Sequence, residues 1–235
     1  MSEPRLLTKT EFIRGLDCVR RAWLDLYRTD LKAPLSFASR DRMETGKLLG
    51  ELARARYRDG LMLFKPGSPQ DVAVADTRTA IDSGHRCLFE ATFVASGRLA
   101  RLDVLHQDDS GEWTLDEVKS SSVKEPKKID EEKLLDLAFQ FHTTREAGHP
   151  VKNARLVLVD TSFVWDGQAF DPHSLLGAVD LTDVCEESAP KVSDHSRLLI
   201  NVLNSDSEPE VELNTHCKGC DYFEHCHANS PKHDL

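Results

Sequence analysis

Three of the six cysteines lie close together near the end of the chain, and this run limits most strongly how the chain can fold. It reads Cys217-Lys-Gly-Cys220-Asp-Tyr-Phe-Glu-His-Cys226, and its tight Lys-Gly turn lets two thiolates face one site. Three thiolates are one short of the four that a structural zinc ion or a cubane cluster takes. Cys18 is the candidate for the fourth, and a shared metal group would then tie the tail to the N-terminal part of the chain.

Two kinds of metal group fit this spacing. Iron–sulfur clusters are commonly held by four Cys thiolates, and structural zinc is also held by three Cys and one His. For zinc, the histidine would be His216, His225 or His227. The spacing alone leaves both groups open. Cys87 and Cys185 stand apart from the run, and we expect each to be a small apolar residue in the core.

The charge pattern bears on which partners the chain can bind. The formal net charge is −10, which counts against a nucleic-acid partner because phosphate binding needs Lys and Arg. The first 60 residues are nevertheless basic in balance, and they could form a phosphate-binding face with a later lysine segment. The residues of this predicted face are Arg14, Arg20, Arg21, Arg40, Arg42, Lys47, Lys124, Lys127 and Lys128.

The chain shows no targeting or membrane signal. The first residues, Met-Ser-Glu-Pro-Arg, lack the basic-then-apolar form of a signal peptide. No apolar run approaches the roughly 20 residues that span a membrane. We therefore expect a cytoplasmic protein without a membrane partner, and in that reducing compartment clustered cysteines are better explained as metal ligands than as disulfides.

Hydrophobic periodicity predicts the secondary structure. Helical spacing and capping signals predict helices over 8–28, 40–58, 71–83 and 130–147, and one that begins near Pro172. Short β-rich segments separated by turn residues predict strands over 86–95, 98–107 and 112–120, followed by a buried strand over 154–160. This order predicts an α/β fold, in which helices flank one mixed sheet.

Acidic residues and one lysine fall near the ends of two predicted strands. Glu117 and Lys119 point to the same face of the third strand, and Asp103 of the second strand can lie beside them. Glu90 of the first strand can join that face. Carboxylates brought together in this way suit Mg²⁺ or Mn²⁺, which prefer oxygen ligands. A solvated sheet face with cross-strand ion pairs explains the same residue types.

These residues resemble the motifs of a known family. The chain is similar to the RecB-like PD-(D/E)XK nucleases with a four-Cys iron–sulfur cluster, the group of the CRISPR-associated exonucleases and the AddB nuclease domain. The similarity covers nearly the whole chain. The matching segments are Leu7–Leu24 with Cys18, Phe89-Glu90-Ala91, Arg101-Leu-Asp103, Glu117-Val-Lys119, Asp136-Leu-Ala-Phe-Gln140 and His216–Cys226.

The resemblance implies a restriction-endonuclease-like fold in a single nuclease-like domain over 1–235. Its parts would be a helical N-terminal part (1–84), a catalytic core (85–165), a C-terminal helical region (166–213) and a cluster-binding tail (214–235). The four cysteines, Cys18, Cys217, Cys220 and Cys226, would bind [4Fe–4S], which the resemblance favours over zinc.

The resemblance also implies roles for the site residues. Asp103 and Glu117 would hold the catalytic Mg²⁺ or Mn²⁺, Lys119 would serve catalysis, and Gln140 would position Lys119 or the substrate. Many relatives have a metal-binding His where this chain has Gly50, so either Glu90 or the adjacent Glu51 would take that role.

The function that follows is a metal-dependent DNA nuclease, with exonuclease action on single strands or ends. Protein partners in a repair or defence complex are expected too. The alternative is a catalytically weak or inactive module of the same fold that binds nucleic acid or takes part in an assembly.

Overall fold

The fold is described from a computed structural model, which describes residues 5–57, 59–122, 129–165, 167 and 171–228. The strands are β1 (Leu7–Thr8), β2 (Leu61–Met62), β3 (Cys87–Ala95), β4 (Arg98–Gln107), β5 (Trp113–Ser122), β6 (Val151–Val159) and β7 (Leu176–Asp180). The helices are α1 (Lys9–Asp17), α2 (Val19–Tyr27), α3 (Phe37–Arg54), α4 (Gln70–Asp82), α5 (Glu131–Glu146), α6 (Pro172–Leu175), α7 (Thr182–Glu187), α8 (Ala189–Leu203) and α9 (Phe223–Ala228). In these residues, no helix is long and apolar enough to cross a membrane.

The strands of the described residues form one mixed sheet, as the sequence predicts. The order is β2-β3-β4-β5-β6-β7, and β1 pairs with β4 beside this path. β3, β4 and β5 form the predicted antiparallel meander, and α5 then crosses over so that β6 runs parallel to β5. The α/β class with helices flanking a mixed sheet is therefore confirmed.

The helices α5 and α3 cover opposite faces of the sheet at β5 and β6. Leu115 and Leu156 belong to the main core together with the buried residues of α5. Val157, one residue along the same strand, packs instead against Leu49 and Ala53 of α3. Side chains alternate along a strand, so α5 lies on one face and α3 on the other. β5 and β6 therefore lie between these two helices.

The predicted helix over 8–28 is wrong in one respect, because it is two helices. The capping box at its start is present, since Thr8 accepts the Glu11 N–H and the Glu11 side chain accepts the Thr8 N–H. Cys18 then adopts an extended backbone (φ −162°) that ends α1 and starts α2. α1 packs against α8 so closely that a Cβ at Gly15 would lie 2.4 Å from Leu199. The lack of a side chain at Gly15 therefore allows the close approach of α1 to α8.

Other predicted boundaries also differ. α3 runs from Phe37 to Arg54 rather than over 40–58. Only one helical turn follows Pro172, and the segment predicted to be helical then contains β7, whose alternating burial matches its pairing with β6. β1 and β2 lie in the N-terminal part that was predicted to be helical. Short strands of this kind gain their hydrogen bonds from a distant partner, so local periodicity does not reveal them.

A histidine at the start of β6 provides a pH-dependent test of the core. The ring of His149 stacks on Phe93 at 5.3 Å between ring centres and meets Trp113 edge-on at 4.8 Å. Its side chain is buried, and the Nε2 atom has no hydrogen-bond partner among the described residues. Burial lowers the pKa of His149 from 6.5 to about 4. The folded protein therefore holds this ring in its neutral form.

Replacement of His149 by Phe is expected to reduce the sensitivity of the protein to acid. The unfolded chain protonates His149 more readily than the folded chain, so its contribution to stability is complete above pH 6.5 and is lost as the pH falls towards about 4. Over that range the variant should lose about 2 kcal/mol less unfolding free energy than the wild type, measured by urea denaturation. If both proteins lose the same unfolding free energy over this range, the folded protein does not lower the pKa of His149.

Candidate active site and cysteine cavity

The candidate active site lies where β4 and β5 separate. The two strands pair only from Val104 to Gln107 on β4, opposite Trp113 to Asp116 on β5. Beyond Asp116 the strands diverge, and the Asp103 carboxylate accepts the Val118 N–H at 2.9 Å. The Asp103 carboxylate therefore takes the place of a backbone acceptor that β4 no longer offers to β5. This contact holds Asp103 at the point where the two strands separate.

Glu117 is the most heavily contacted group of the site. Its side chain is buried (2% exposed), and its Oε1 atom accepts hydrogen bonds from Lys119 and Lys9, each at 2.8 Å. Its Oε2 atom accepts a hydrogen bond from Gln140 Nε2 at 2.9 Å. Gln140 is fully buried on α5 and also donates to the Asp136 carboxylate at 3.1 Å. The predicted residues Glu117, Lys119 and Gln140 therefore meet.

Two lysines bridge the two buried carboxylates of this group. Lys119 contacts both Glu117 and Asp136. Lys9 lies 2.8 Å from Glu117 Oε1 and 3.6 Å from Asp136 Oδ1. Each ammonium group therefore has two acidic partners, and each carboxylate has two basic ones. Paired charges of this kind offset the cost of removing the carboxylates from water.

A cavity of about 480 Å³ opens beside this cluster. Its wall includes the three predicted metal ligands Glu90, Asp103 and Glu117, which lie on three neighbouring strands. Glu51 of α3 also lines the cavity, so Glu90 and Glu51, the two residues predicted as alternatives for one metal ligand, face the same space. Carboxylates around an open cavity provide oxygen donors, which suit a hard divalent cation that keeps part of its water shell.

The carboxylates of the site differ in their pKa values. Burial, together with the charge of Glu117, raises the pKa of Asp103 to about 7. Burial alone would also raise the pKa of Glu117, but the ammonium groups of Lys119 and Lys9 hold that pKa well below its usual range. Burial raises the pKa of Glu90. Glu117 therefore stays charged, whereas burial opposes the charged forms of Asp103 and Glu90.

Glu90 also has an unusual backbone. Its φ angle is +61° in the middle of β3, a region that favours glycine over residues with a side chain. The residues on either side, Phe89 and Ala91, remain in register with β4. Such backbone strain persists only where the surrounding structure enforces it, and it is often found at functional sites.

The four predicted cluster ligands line a second cavity, of about 500 Å³. Cys18 contributes from the junction of α1 and α2, and Cys217, Cys220 and Cys226 contribute from the tail. His216 lines the same cavity, and His225 instead approaches Glu208 at 3.2 Å. The structure therefore brings together thiols that are far apart in the sequence. Among the described residues, no three His, Cys, Asp or Glu side chains are already placed to hold one metal ion.

The tail is held against the N-terminal helices by direct contacts. The Asp221 carboxylate pairs with Arg14 at 3.2 Å and with Arg21 at 3.5 Å. Tyr222 is almost fully buried (1% exposed), and its hydroxyl donates to Asp25 at 2.8 Å. These contacts place the tail cysteines opposite Cys18 through the protein's own side chains.

Three arginines of the predicted phosphate-binding face hold the tail against the N-terminal helices. Arg14 and Arg21 pair with Asp221, and Arg20 donates to the Pro209 carbonyl at 2.8 Å. These guanidinium groups fasten the tail and the preceding segment, and phosphate binding by these three residues stays a prediction. The exposed basic residues of α3 are Arg40, Arg42 and Lys47. The predicted contributors Lys124, Lys127 and Lys128 lie outside the described residues.

A buried network supports the other side of β5. Asp116 is fully buried and accepts two hydrogen bonds from Arg155, both at 2.7 Å. The Tyr57 hydroxyl also donates to Asp116, and His106 lies 3.3 Å away. Although burial alone would raise it, His106 and Arg155 hold the pKa of Asp116 well below its usual range. Tyr57 follows α3, so this network anchors the end of the helix that forms one wall of the active-site cavity.

Removal of Arg155 is expected to be costly because it leaves Asp116 buried without its main partner. Arg155→Ala should lower the unfolding free energy by about 3 kcal/mol, measured by urea denaturation at neutral pH. Arg197→Ala is the matched control, since Arg197 pairs with Asp194 on the surface, where both side chains are 71% exposed. Exposed pairs contribute little, so the control should change stability by no more than about 0.5 kcal/mol. Similar losses of unfolding free energy in both variants would show that the buried Asp116 network stabilises the fold no more than a surface ion pair does.

Two members of the site were missed as site residues in the sequence. Lys9 stands in the capping box that starts α1, where local patterns explain it as the first residue of a helix. Asp136 precedes Gln140 by one helical turn, which places both on one face of α5. That spacing was a usable signal for Asp136. For Lys9 no local signal exists, because its partner Glu117 is 108 residues away.

The comparisons with known proteins leave the function to the geometry of the site. No protein-family model matches this chain, and no curated protein matches it. The solved structure of SSO0001 is similar to this chain, with a TM-score of 0.39 and 13% sequence identity, over 98% of this chain and 90% of that one. A similarity this weak carries no argument about fold or function.

Proposed function

We propose that this protein is a metal-dependent nuclease of the RecB-like PD-(D/E)XK type, which cleaves phosphodiester bonds of DNA. One observation carries the proposal. Glu117, Lys119 and Gln140 are in contact where two sheet strands separate, beside a cavity of about 480 Å³ that Asp103 and Glu90 also line. Carboxylates around one open space, with the ammonium group of Lys119 in contact with one of them, are the groups that hydrolysis of a phosphodiester uses.

Each residue of the site has a defined task under this proposal. Asp103, Glu117 and Glu90 would hold Mg²⁺ or Mn²⁺, and Glu51 is the alternative to Glu90. The bound ion supplies an activated water and neutralises charge on the phosphate. Lys119 places a fixed positive charge beside Glu117, where negative charge develops during attack. Gln140 holds the Glu117 carboxylate in one orientation through its Oε2 atom.

The cysteine cavity supports an iron–sulfur cluster as the second group of the protein. A [4Fe–4S] cluster takes four thiolates, and Cys18, Cys217, Cys220 and Cys226 share one cavity of about 500 Å³. Zinc remains the alternative, since His216 also lines the cavity. Either group would join the tail to the junction of α1 and α2.

A specific observation favours the second candidate function, a non-catalytic module that binds nucleic acid or takes part in an assembly. Glu117 is neutralised by two lysines rather than by one, and the chain carries a net charge of −10. Both features weaken the case for vigorous cleavage of a polyanion. The two candidates differ in a single property, which is divalent-metal-dependent turnover.

Anaerobically purified protein, incubated with end-labelled single-stranded and double-stranded DNA, tests the proposal. Cleavage is expected with Mn²⁺ or Mg²⁺ and should stop when a chelator is added. End-labelling distinguishes stepwise loss of nucleotides, the mark of an exonuclease, from internal cuts. RNA of the same sequence serves as the comparison substrate. DNA binding without cleavage under all of these conditions would favour the non-catalytic module.

A further inference from the structure

We infer that Lys9 occupies, in the metal-free protein, the Glu117 oxygen that a divalent cation takes when it binds, so that Lys9 sets the affinity of the site for that cation. The inference rests on the proposed function, because it assigns a role within the same acidic site. Lys9 acts through Glu117, and it is therefore a positioning residue and not a catalytic one.

The backbone holds Lys9 at the split between β4 and β5. One side of β4 is paired with β3 along almost its whole length. β1 therefore pairs with the other side of β4, at Arg98 and Leu99, in the space that β5 leaves when it diverges. Lys9 follows β1 directly, and the capping box of Thr8 and Glu11 fixes the start of α1 at this residue. The position of Lys9 is thus set by the sheet.

The contacts of Glu117 show why a cation must compete. Lys9 and Lys119 both donate to Glu117 Oε1 at 2.8 Å, and Gln140 donates to Oε2. A carboxylate oxygen has about two lone-pair sites, so the two ammonium groups use both sites of Oε1. Glu117 can offer this oxygen to a cation in the cavity only when one ammonium group leaves it.

Lys9 is the ammonium group that leaves more easily. Lys119 is also in close contact with Asp136, and it lies two residues from Glu117 on the same strand. Lys9 makes one short contact, with Glu117, and its distance to Asp136 is 3.6 Å. The two lysine side chains are about equally exposed (25% and 24%), so the looser second contact of Lys9 distinguishes it from Lys119. Lys9 therefore gives up Oε1 while Lys119 remains beside Glu117 and Asp136.

Isothermal titration of Mn²⁺ into the anaerobically purified full-length protein tests this inference. Lys9→Met should bind Mn²⁺ about 10-fold more tightly than the wild type, because no ammonium group competes for Oε1. Lys9→Arg keeps the charge and should stay within about 2-fold of the wild type. Lys47→Met removes the same charge from the wall of the same cavity, and it should also change the affinity by less than about 2-fold. Asp103→Asn removes one carboxylate of this cavity, and its affinity for Mn²⁺ should fall because the measured ion lies there.

Thermal unfolding supplies a second readout that does not depend on activity. Metal-free Lys9→Met should unfold at a lower temperature than the wild type, since Glu117 and Asp136 lose a counter-ion, and Mn²⁺ should stabilise the variant more than the wild type. Unchanged or weaker Mn²⁺ affinity in Lys9→Met overturns the inference, and so does an equal gain in Lys47→Met. A wild-type protein that binds no Mn²⁺ overturns the proposed function itself.

Discussion

Glu117→Gln is expected to lower Mn²⁺-dependent DNA cleavage at least about 1,000-fold. Glutamine keeps the shape of the side chain but carries no charge, so it neither balances the two lysines nor holds a divalent cation. Gln140 can still make a hydrogen bond to the new amide oxygen, which preserves the packing of α5 on the sheet. The measurement is the single-turnover rate on end-labelled single-stranded DNA, together with a thermal melt to confirm that the variant is folded.

Glu112→Gln is the matched control for that experiment. Glu112 comes just before β5 and pairs on the surface with Lys152, far from the split between β4 and β5. Its loss should leave the cleavage rate within about 2-fold of the wild type, because exposed pairs contribute little. If Glu117→Gln keeps more than about a tenth of the wild-type rate, Glu117 does not hold the catalytic ion and the proposed mechanism fails. DNA binding should persist in both variants.

Cys18→Ser is expected to remove the iron–sulfur cluster. Anaerobically purified wild type should be brown, with absorbance at about 400 nm and about four iron atoms per chain. Serine replaces a thiolate with a hydroxyl group, which is a poor ligand for such clusters, so the variant should lose most of its iron and colour. The sheet should stay folded, because Tyr222 and Asp221 still hold the tail through Asp25 and Arg14.

Cys87→Ser is the control for the cluster, since Cys87 lies on β3 and does not line the cysteine cavity. It should retain the iron content of the wild type. If the wild type instead holds about one zinc ion per chain and shows no visible absorbance, the four cysteines bind zinc and not an iron–sulfur cluster. A Cys18→Ser protein with the full iron content would show that Cys18 is not a ligand.

The central strands could be predicted from the sequence with good accuracy. The predicted segments 86–95, 98–107 and 112–120 correspond to β3 (Cys87–Ala95), β4 (Arg98–Gln107) and β5 (Trp113–Ser122). Alternating side chains and tight turns act over a few residues, so they are visible in the sequence. The same local reasoning placed Glu117 and Lys119 on one face. These elements account for half of the candidate site.

The rest of the fold and of the candidate site depends on contacts between distant segments. β7 gains its hydrogen bonds from β6, and Cys18 adopts an extended backbone between two helices where the sequence predicts one helix. The φ angle of +61° at Glu90 has no signal in the sequence, because nothing local favours that conformation for glutamate. In each case the surrounding structure overrides what the local residues prefer.

The sequence by itself determined the mixed α/β class, the strand meander, the start of α1 and the local spacing of Cys217, Cys220 and Cys226. Only the tertiary structure decided that Lys9 meets Glu117 across 108 residues and that Cys18 shares a cavity with the tail. The physical reason is the distance along the chain over which each interaction acts. Periodicity, capping and turn preferences arise from neighbours in the chain, whereas the divergence of β4 from β5, and the place of β1 between them, exist only after the whole sheet has formed.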